Sequence, residues 1–289
     1  MRELVKSFLR EDLGPAWLDL STESLGKARV KPAIGEVLVK TDGVISGLDL
    51  LPLVVETLEE SYSCAFRVSH LTSIELLSRD GDTVPIGTVV ARLRGPVMTL
   101  LMGERTILNL LQRLSGIASL TRKFSDIVSG TNCRILDTRK TTPGLRALEK
   151  QAVRAGGGVN HRFGLYDMVM LKDNHLTAMG GDIGCAVAEA RERVGPTVRI
   201  EVETTSLEQV KEALNAGSDI IMLDNMHPEN MKKCVDWVAG RVPLEASGGI
   251  TLETVRHAAE AGVDFISVGA ITHSAPALDI SMKIRLVRP

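Results

Sequence analysis

What most limits the folds open to this chain is a run of short apolar segments alternating with amphipathic ones between residues 134 and 268. Arg134–Asp137, Met168–Leu171, Val198–Val202, Asp219–Leu223, Pro243–Ala246 and Asp264–Val268 are too short for helices and too apolar for half-exposed strands. Between them lie segments of helical period: Pro143–Ala155, Ile183–Val194, Leu207–Ala216, Pro228–Ala239 and Leu252–Ala261. In the fourth of these, Met231, Cys234, Val235 and Val238 fall at i, i+3, i+4 and i+7. Thr142 followed by Pro143 reads as an N-cap and first helical residue, and Gly217 and Gly262 as helix stops. Strands buried on both faces and separated by helices make a parallel sheet. No glycine-rich dinucleotide fingerprint or P-loop follows any strand, so a closed or nearly closed α/β barrel fits better than a Rossmann sheet.

The first hundred residues carry a different pattern. Met1–Leu13 and Leu50–Glu59 read as helices. Gly35–Ser46, Cys64–Ser69, Ile74–Ser78 and Thr88–Arg94 read as short strands, with Asp42-Gly43 as a turn signal, which makes an α+β domain. A long helix over Met102–Val128 joins the halves along a stripe of Ile107, Leu110, Leu111, Leu114, Ile117 and Phe124.

Composition removes several function classes. Aromatic residues are 3% of the chain, too few for the stacking platforms of single-strand nucleic-acid binding, and a net charge of -2 gives no basic field for a polyanion. The four cysteines, Cys64, Cys133, Cys185 and Cys234, form no paired motif, so reduced thiols in a cytoplasmic protein are expected. Glu3, Glu11 and Asp12 break the opening segment as a signal peptide, and no apolar run is long enough for a membrane span.

In a parallel α/β barrel, function collects at the C-terminal ends of the strands. Here those ends carry Thr138, Arg139 and Lys140; Lys172 to His175; Glu201 and Glu203; Asp224 and Asn225; Ser247, Gly248 and Gly249; Gly269 and Ala270. From Arg139 to His175 there are seven Lys or Arg against three acids, a local excess of +4 in a chain of -2. Arg139 and Arg162 can each grip a carboxylate with two parallel hydrogen bonds. Glu203 and Asp224 suit Mg²⁺ or a developing positive charge. The Ser247–Gly249 turn, opening a helix at Thr251, offers backbone N–H groups to a phosphate. His161 and His273 are equally candidates for surface histidines, Glu201 for a structural pair with a barrel lysine, and Cys133, Met168 and Met170 for core. A Schiff-base aldolase using Lys140 or Lys172, or a non-catalytic binder of phosphorylated metabolites, would draw on the same residues.

Longer motifs narrow the choice. Asp137-Thr-Arg-Lys-Thr-Thr-Pro-Gly-Leu-Arg146, Ala152-Val-Arg-Ala-Gly-Gly-Gly-Val-Asn-His-Arg162, Leu171-Lys-Asp-Asn-His175, Glu201-Val-Glu203, Met222-Leu-Asp-Asn225, Glu245-Ala-Ser-Gly-Gly249 and Ser267-Val-Gly-Ala270 together resemble the quinolinate phosphoribosyltransferase family. The resemblance continues through Leu278-Asp279 and runs in order over nearly the whole chain; Leu18-Asp19-Leu20-Ser21 departs from the family's Gly-Asp-Leu-Thr. It implies an incomplete parallel α/β barrel over residues 104–270 and an N-terminal α/β sandwich over 1–103, to which the tail 271–289 returns. It implies phosphoribosyl transfer from phosphoribosyl pyrophosphate to quinolinate, with Mg²⁺, release of pyrophosphate and CO₂, and formation of nicotinate mononucleotide for NAD synthesis. Relatives of this fold act on nicotinate or accompany molybdate transport; the density of cations here favours a dicarboxylate. By resemblance, Arg139, His161, Arg162 and Lys172 hold the carboxylates and Lys140 lies near the pyrophosphate. Glu203 and Asp224 face the ribose and metal, and Lys140, Glu203 and Asp224 are the catalytic candidates. Ser247, Gly248, Gly249, Gly269 and Ala270 cradle the 5′-phosphate, and Thr138 and Val268 join the substrate-binding set. Arg105 crosses a homodimer interface to the neighbouring site.

Overall fold

Six parallel strands form one sheet in the computed structural model, which describes residues 1–66 and 72–287. They are, in chain order, Arg134–Leu136, Val169–Leu171, Ile200–Thr204, Ile220–Asp224, Leu244–Ser247 and Phe265–Ser267. In space the first pairs with the sixth, and the fifth, fourth, third and second follow in turn. Every pairing is parallel. The ladder is open between the first and second strands, so this is the incomplete barrel that the resemblance implies. Each crossover carries a helix, including Ile183–Arg193, Leu207–Asn215 and Pro228–Val238.

The chain divides into two compact units. One comprises residues Met1–Leu120, Ala147–Gly156 and Ala275–Pro289, the other Thr121–Arg146 and Gly157–Ser274. The division differs from boundaries at 103 and 270, because the Val97–Ile127 helix and the Arg146–Ala155 helix each contribute to the first unit. The first unit holds an antiparallel sheet in the order Ile280–Leu286, Pro32–Val39, Val89–Pro96, Ser73–Leu76. Pro32–Val39 is bonded on both edges, with Val39 opposite Ile280 and Ala33 opposite Leu286. Its Glu36 accepts from Arg92 Nε and an Arg285 guanidinium N–H, both at 3.1 Å. Among the described residues no helix is long and apolar enough to cross a membrane.

Local differences from the sequence pattern have physical causes. Leu50 starts a helix that continues to Phe66, so Cys64–Phe66 is helical rather than the start of a strand; residues 67–69 of that expected strand lie outside the described residues. Thr142 and Pro143 do not cap a helix. The Leu145 N–H returns to the Thr142 carbonyl at 3.0 Å with Gly144 at φ 83°, a β-turn with Pro and Gly at its centre, and the helix begins at Arg146. Similarly, the helix expected from Leu252 starts at Val255 and runs only to Glu260.

Candidate active site

The period of two along the third barrel strand divides its residues cleanly. Ile200, Val202 and Thr204 are buried on one face, while Glu201 and Glu203 share the other. Glu203 reaches a cavity of about 670 Å³ at the C-terminal ends of the strands, within the size range of small-molecule sites. Thr138, Arg139, Lys140, His161, Arg162, Lys172, Glu203, Asp224, Ser247, Gly248, Gly249, Val268, Gly269 and Ala270 all line it. The structure thus brings every expected site residue except Arg105 to one cavity. Arg105 lies on the Val97–Ile127 helix in the first unit, beside a separate groove with Asp12, Asp19 and Met102.

The cations are not equivalent. Of the seven between residues 139 and 175, Arg139, Lys140, Arg162 and Lys172 line the cavity. Arg146 is a brace: its Nε donates to Thr141 Oγ1 at 2.9 Å, and its terminal nitrogens to the Phe163 and Arg139 carbonyls at 3.2 and 3.4 Å. Arg162 donates from one guanidinium nitrogen to the Met168 carbonyl at 3.1 Å, and burial followed by the nearby Arg139 charge lowers its pKa. Lys172 Nζ is in contact with Glu203 Oε2. His175 Nδ1 accepts the Lys172 backbone N–H at 3.0 Å, fixing the turn from which that lysine projects.

On the opposite wall, Asp224 ends the fourth strand and its Oδ2 accepts from Asn225 Nδ2 at 2.6 Å. Asn225 sits at φ 53°, and its N–H donates to the Ser247 carbonyl at 2.9 Å. Gly248 has φ 92°, and a Cβ there would run into the Asn225 side chain. The Ser247–Gly249 turn is therefore shaped by Asn225 and not by a helix start at Thr251. At the next turn a Cβ on Gly269 would meet Lys140 and His273 side-chain atoms at 3.0 and 3.2 Å, so glycine lets those two approach.

Beneath the cavity lies a group that the strand-end pattern revealed only in part. Asp137, fully buried at the end of the first strand, accepts from the His161 N–H at 2.9 Å and from Asn160 Nδ2 at 2.5 Å. His161 Nε2 stands 3.2 Å from Glu201 Oε2 and 3.4 Å from Glu245 Oε2, both glutamates being buried. Glu201 therefore pairs with a histidine rather than a barrel lysine. Neither of its oxygens has a well-aligned hydrogen bond, and burial pushes its carboxyl above the ordinary range. Burial works to lower the His161 pKa, but Glu201 and Glu245 outweigh it and raise the ring to about 10. The Arg162 backbone N–H, however, donates to His161 Nδ1 at 2.6 Å. A proton on Nδ1 would set two donors against each other, so this geometry is that of the neutral ring with its proton on Nε2. His161, Glu201 and Glu245 offer ligand atoms within 4.8 Å of one another, with Nε2 turned toward both glutamates.

Asn225, Glu245, Ser267 and His273 also line the cavity without having been singled out as binding residues. Asn225 and Glu245 stand inside the quoted motifs, beside residues of more obvious chemistry. Ser267 Oγ is buried without a partner, a position on the inner face of the sixth strand that alternation with Ile266 could have marked. Met170 is core as expected, yet also lines the cavity.

Cations, two carboxylates and two glycine turns around one barrel mouth define a binder of phosphorylated, multiply charged anions. The sequence relations then fix the family. Residues 19–115 match the N-terminal domain of quinolinate phosphoribosyl transferase and residues 117–283 its C-terminal domain. The chain is 43% identical over 286 residues to the probable nicotinate-nucleotide pyrophosphorylase [carboxylating] of Bacillus subtilis (strain 168), covering 99% of this chain and 94% of that one. It is also 43% identical over 264 residues to the chloroplastic nicotinate-nucleotide pyrophosphorylase [carboxylating] of Arabidopsis thaliana, covering 86% and 72%. The crystal structure of NadC from Streptococcus pyogenes superposes with a TM-score of 0.89 at 38% identity, covering 99% of this chain and 96% of that one. The chain belongs to the quinolinate phosphoribosyltransferase family.

Proposed function

We propose that the barrel cavity joins quinolinate to the phosphoribosyl group of phosphoribosyl pyrophosphate and then releases CO₂, giving nicotinate mononucleotide and pyrophosphate. The observation that carries this reading is the convergence of Arg139, Lys140, Arg162 and Lys172 with Glu203, Asp224 and both glycine turns on a single cavity.

Arg139, Arg162 and Lys172, with His161 beside them, hold the two ring carboxylates, and the Ser247–Gly249 and Gly269–Ala270 backbones take the 5′-phosphate. The pyridine nitrogen then faces the ribose anomeric carbon. As the bond to the pyrophosphate oxygen breaks, its electron pair leaves with pyrophosphate and positive charge grows on the sugar. Glu203 and Asp224 stabilise that charge, and Lys140 stabilises the departing oxygen. Orientation by the carboxylate clamps supplies part of the rate. The new carbon–nitrogen bond leaves the ring cationic. When the bond to the 2-carboxylate breaks, its electron pair stays on the ring carbon beside the positive nitrogen, and a proton from solvent completes the product.

Glu203 and Asp224 are hard oxygen donors beside a phosphate-shaped turn, a donor set that fits Mg²⁺. With substrate oxygens they would hold the ion, which supplies neutralising charge for pyrophosphate. The active unit is a homodimer in which Arg105 serves the neighbouring cavity. Free Cys133, Cys185 and Cys234 are consistent with a reducing cytoplasm.

Purified protein given carboxyl-labelled quinolinate, phosphoribosyl pyrophosphate and Mg²⁺ should release labelled CO₂, and chelation should stop it. Ribosylation of nicotinate with no CO₂ from quinolinate would transfer the assignment to a monocarboxylate enzyme.

A further inference from the structure

We propose that Arg146 is a positioning residue that sets the spacing of Arg139 and Arg162, and so makes the cavity favour two adjacent carboxylates over one. The proposal rests on the functional reading above and deepens it, since Arg146 does not itself line the cavity.

Arg139 and Arg162 stand on separate segments, one following the first barrel strand and the other preceding the second. Their charges oppose each other: burial and then the Arg139 charge lower the Arg162 pKa. Something must hold the two segments in register before a dianion arrives. Arg146 does so with the rigid plane of one guanidinium. Its Nε donates to Thr141 Oγ1 at 2.9 Å, Nη2 to the Arg139 carbonyl at 3.4 Å and Nη1 to the Phe163 carbonyl at 3.2 Å. All three acceptors are uncharged, so the fork neutralises no carboxylate and its contribution is geometry. The Thr142–Leu145 turn brings it there. With Gly144 at φ 83° the chain doubles back, and Arg146 reaches a carbonyl seven residues before it. The other end of the fork is equally fixed. The Phe163 and Gly164 N–H groups both donate to the Asp167 carboxylate, and the Arg162 guanidinium donates to the Met168 carbonyl at 3.1 Å. The Phe163 carbonyl thus belongs to a loop closed upon itself, one residue beyond Arg162. Each end of the fork grips the backbone at, or one residue past, an arginine that holds a carboxylate.

A dicarboxylate depends on that spacing and a monocarboxylate does not. Once one carboxylate is held, the second meets its cation at an effective concentration set by how firmly the two cations are spaced. A ligand with a single carboxylate gains nothing from the place of the second cation. Lysine cannot substitute for the fork, because one nitrogen on a flexible stem does not span three acceptors in three directions.

Binding titrations of the full chain with quinolinate and with nicotinate, without phosphoribosyl pyrophosphate, read this preference in the absence of turnover. The parent should bind quinolinate more tightly. In Arg146→Met and in Arg146→Lys the preference should fall about 10-fold or more through lost quinolinate affinity, with nicotinate affinity within about 3-fold of the parent. Steady-state kinetics of the same variants should show KM for quinolinate raised about 10-fold or more and KM for phosphoribosyl pyrophosphate within about 3-fold. An unchanged preference in folded Arg146→Met would overturn the proposal, as would parallel loss of both ligands or full rescue by lysine. Should the Arg146 variants not fold, Thr141→Val decides, since it removes the Nε acceptor and keeps the side-chain shape. The preference should then fall about 3-fold, and no fall would refute the assignment. A parent with no preference for quinolinate would refute it too. A parent that prefers quinolinate but does not turn it over would instead defeat the functional reading on which this rests.

Discussion

Lys172 Nζ meets Glu203 Oε2 across the cavity, joining the end of the second barrel strand to the third. The pair unites the two halves of the proposed chemistry, since one member grips a ring carboxylate and the other faces the sugar. The two substitutions should separate these tasks. Lys172→Met removes a charge-assisted hydrogen bond of about 1.5–3 kcal/mol, or about 10- to 100-fold in kcat/KM for quinolinate. Glu203→Gln should lower kcat by about 10-fold or more while leaving quinolinate KM nearly in place. Steady-state kinetics with each substrate varied in turn measures both.

The turn at Gly248 depends on its neighbour. Gly248→Ala adds a Cβ at φ 92° that collides with the Asn225 side chain, so KM for phosphoribosyl pyrophosphate should rise by about 10-fold or more. Asn225→Gly should have a split effect. Relief of the left-handed backbone at φ 53° should keep or raise the melting temperature, while loss of the donor to Asp224 Oδ2 lowers kcat. Melting temperature and turnover moving in opposite directions is the result to look for.

Glu36 gives the sheet of the first unit a pH dependence. Hydrogen bonds from Arg285 and then Arg92 hold its carboxyl below its ordinary value of 4.5. A depressed folded pKa contributes stability that is present above that ordinary value and lost as pH falls through the lowered one. Glu36→Gln should therefore melt below the parent at pH 7, and the difference should shrink under acid. Melting curves at pH 7 and near pH 3 provide the comparison, and a gap that stays constant would remove Glu36 from the acid response.

Arg105 and Lys140 belong to different compact units, and the proposed dimer uses them at a shared site. Arg105→Ala and Lys140→Ala chains should each be inactive alone. Mixed and allowed to exchange, they should regain up to about a quarter of parental activity, because half the chains enter mixed pairs and each such pair contains one intact site. No recovery after demonstrated exchange would argue for self-contained sites.

The barrel strands were legible because residues such as Ile221 and Leu223 are apolar in runs too short for helices. Their ends carry the cations, the acids and the glycines that line the cavity, so its chemistry is readable in the sequence. Boundaries blurred where local chemistry offered two outcomes: Thr142-Pro143 suits a helix start as well as a turn, and Gly144 decided for the turn. The charge excess between residues 139 and 175 does not tell ligand cations from braces: the donors of Arg146 are consumed by carbonyls and Thr141. Glu245 was hidden for a different reason. A glutamate in a strand shows its partner only when strands distant in sequence close around His161.

The pairing of Val39 with Ile280 has a kinetic consequence during synthesis. A ribosome that has translated the first hundred residues has made three of the four antiparallel strands, but one edge of Pro32–Val39 stays bare until residue 286 clears the exit tunnel. The barrel segment is translated in that interval. Each nascent chain thus carries an unpaired strand edge until residues 280–286 emerge, and chaperone occupancy should fall sharply once that edge is closed.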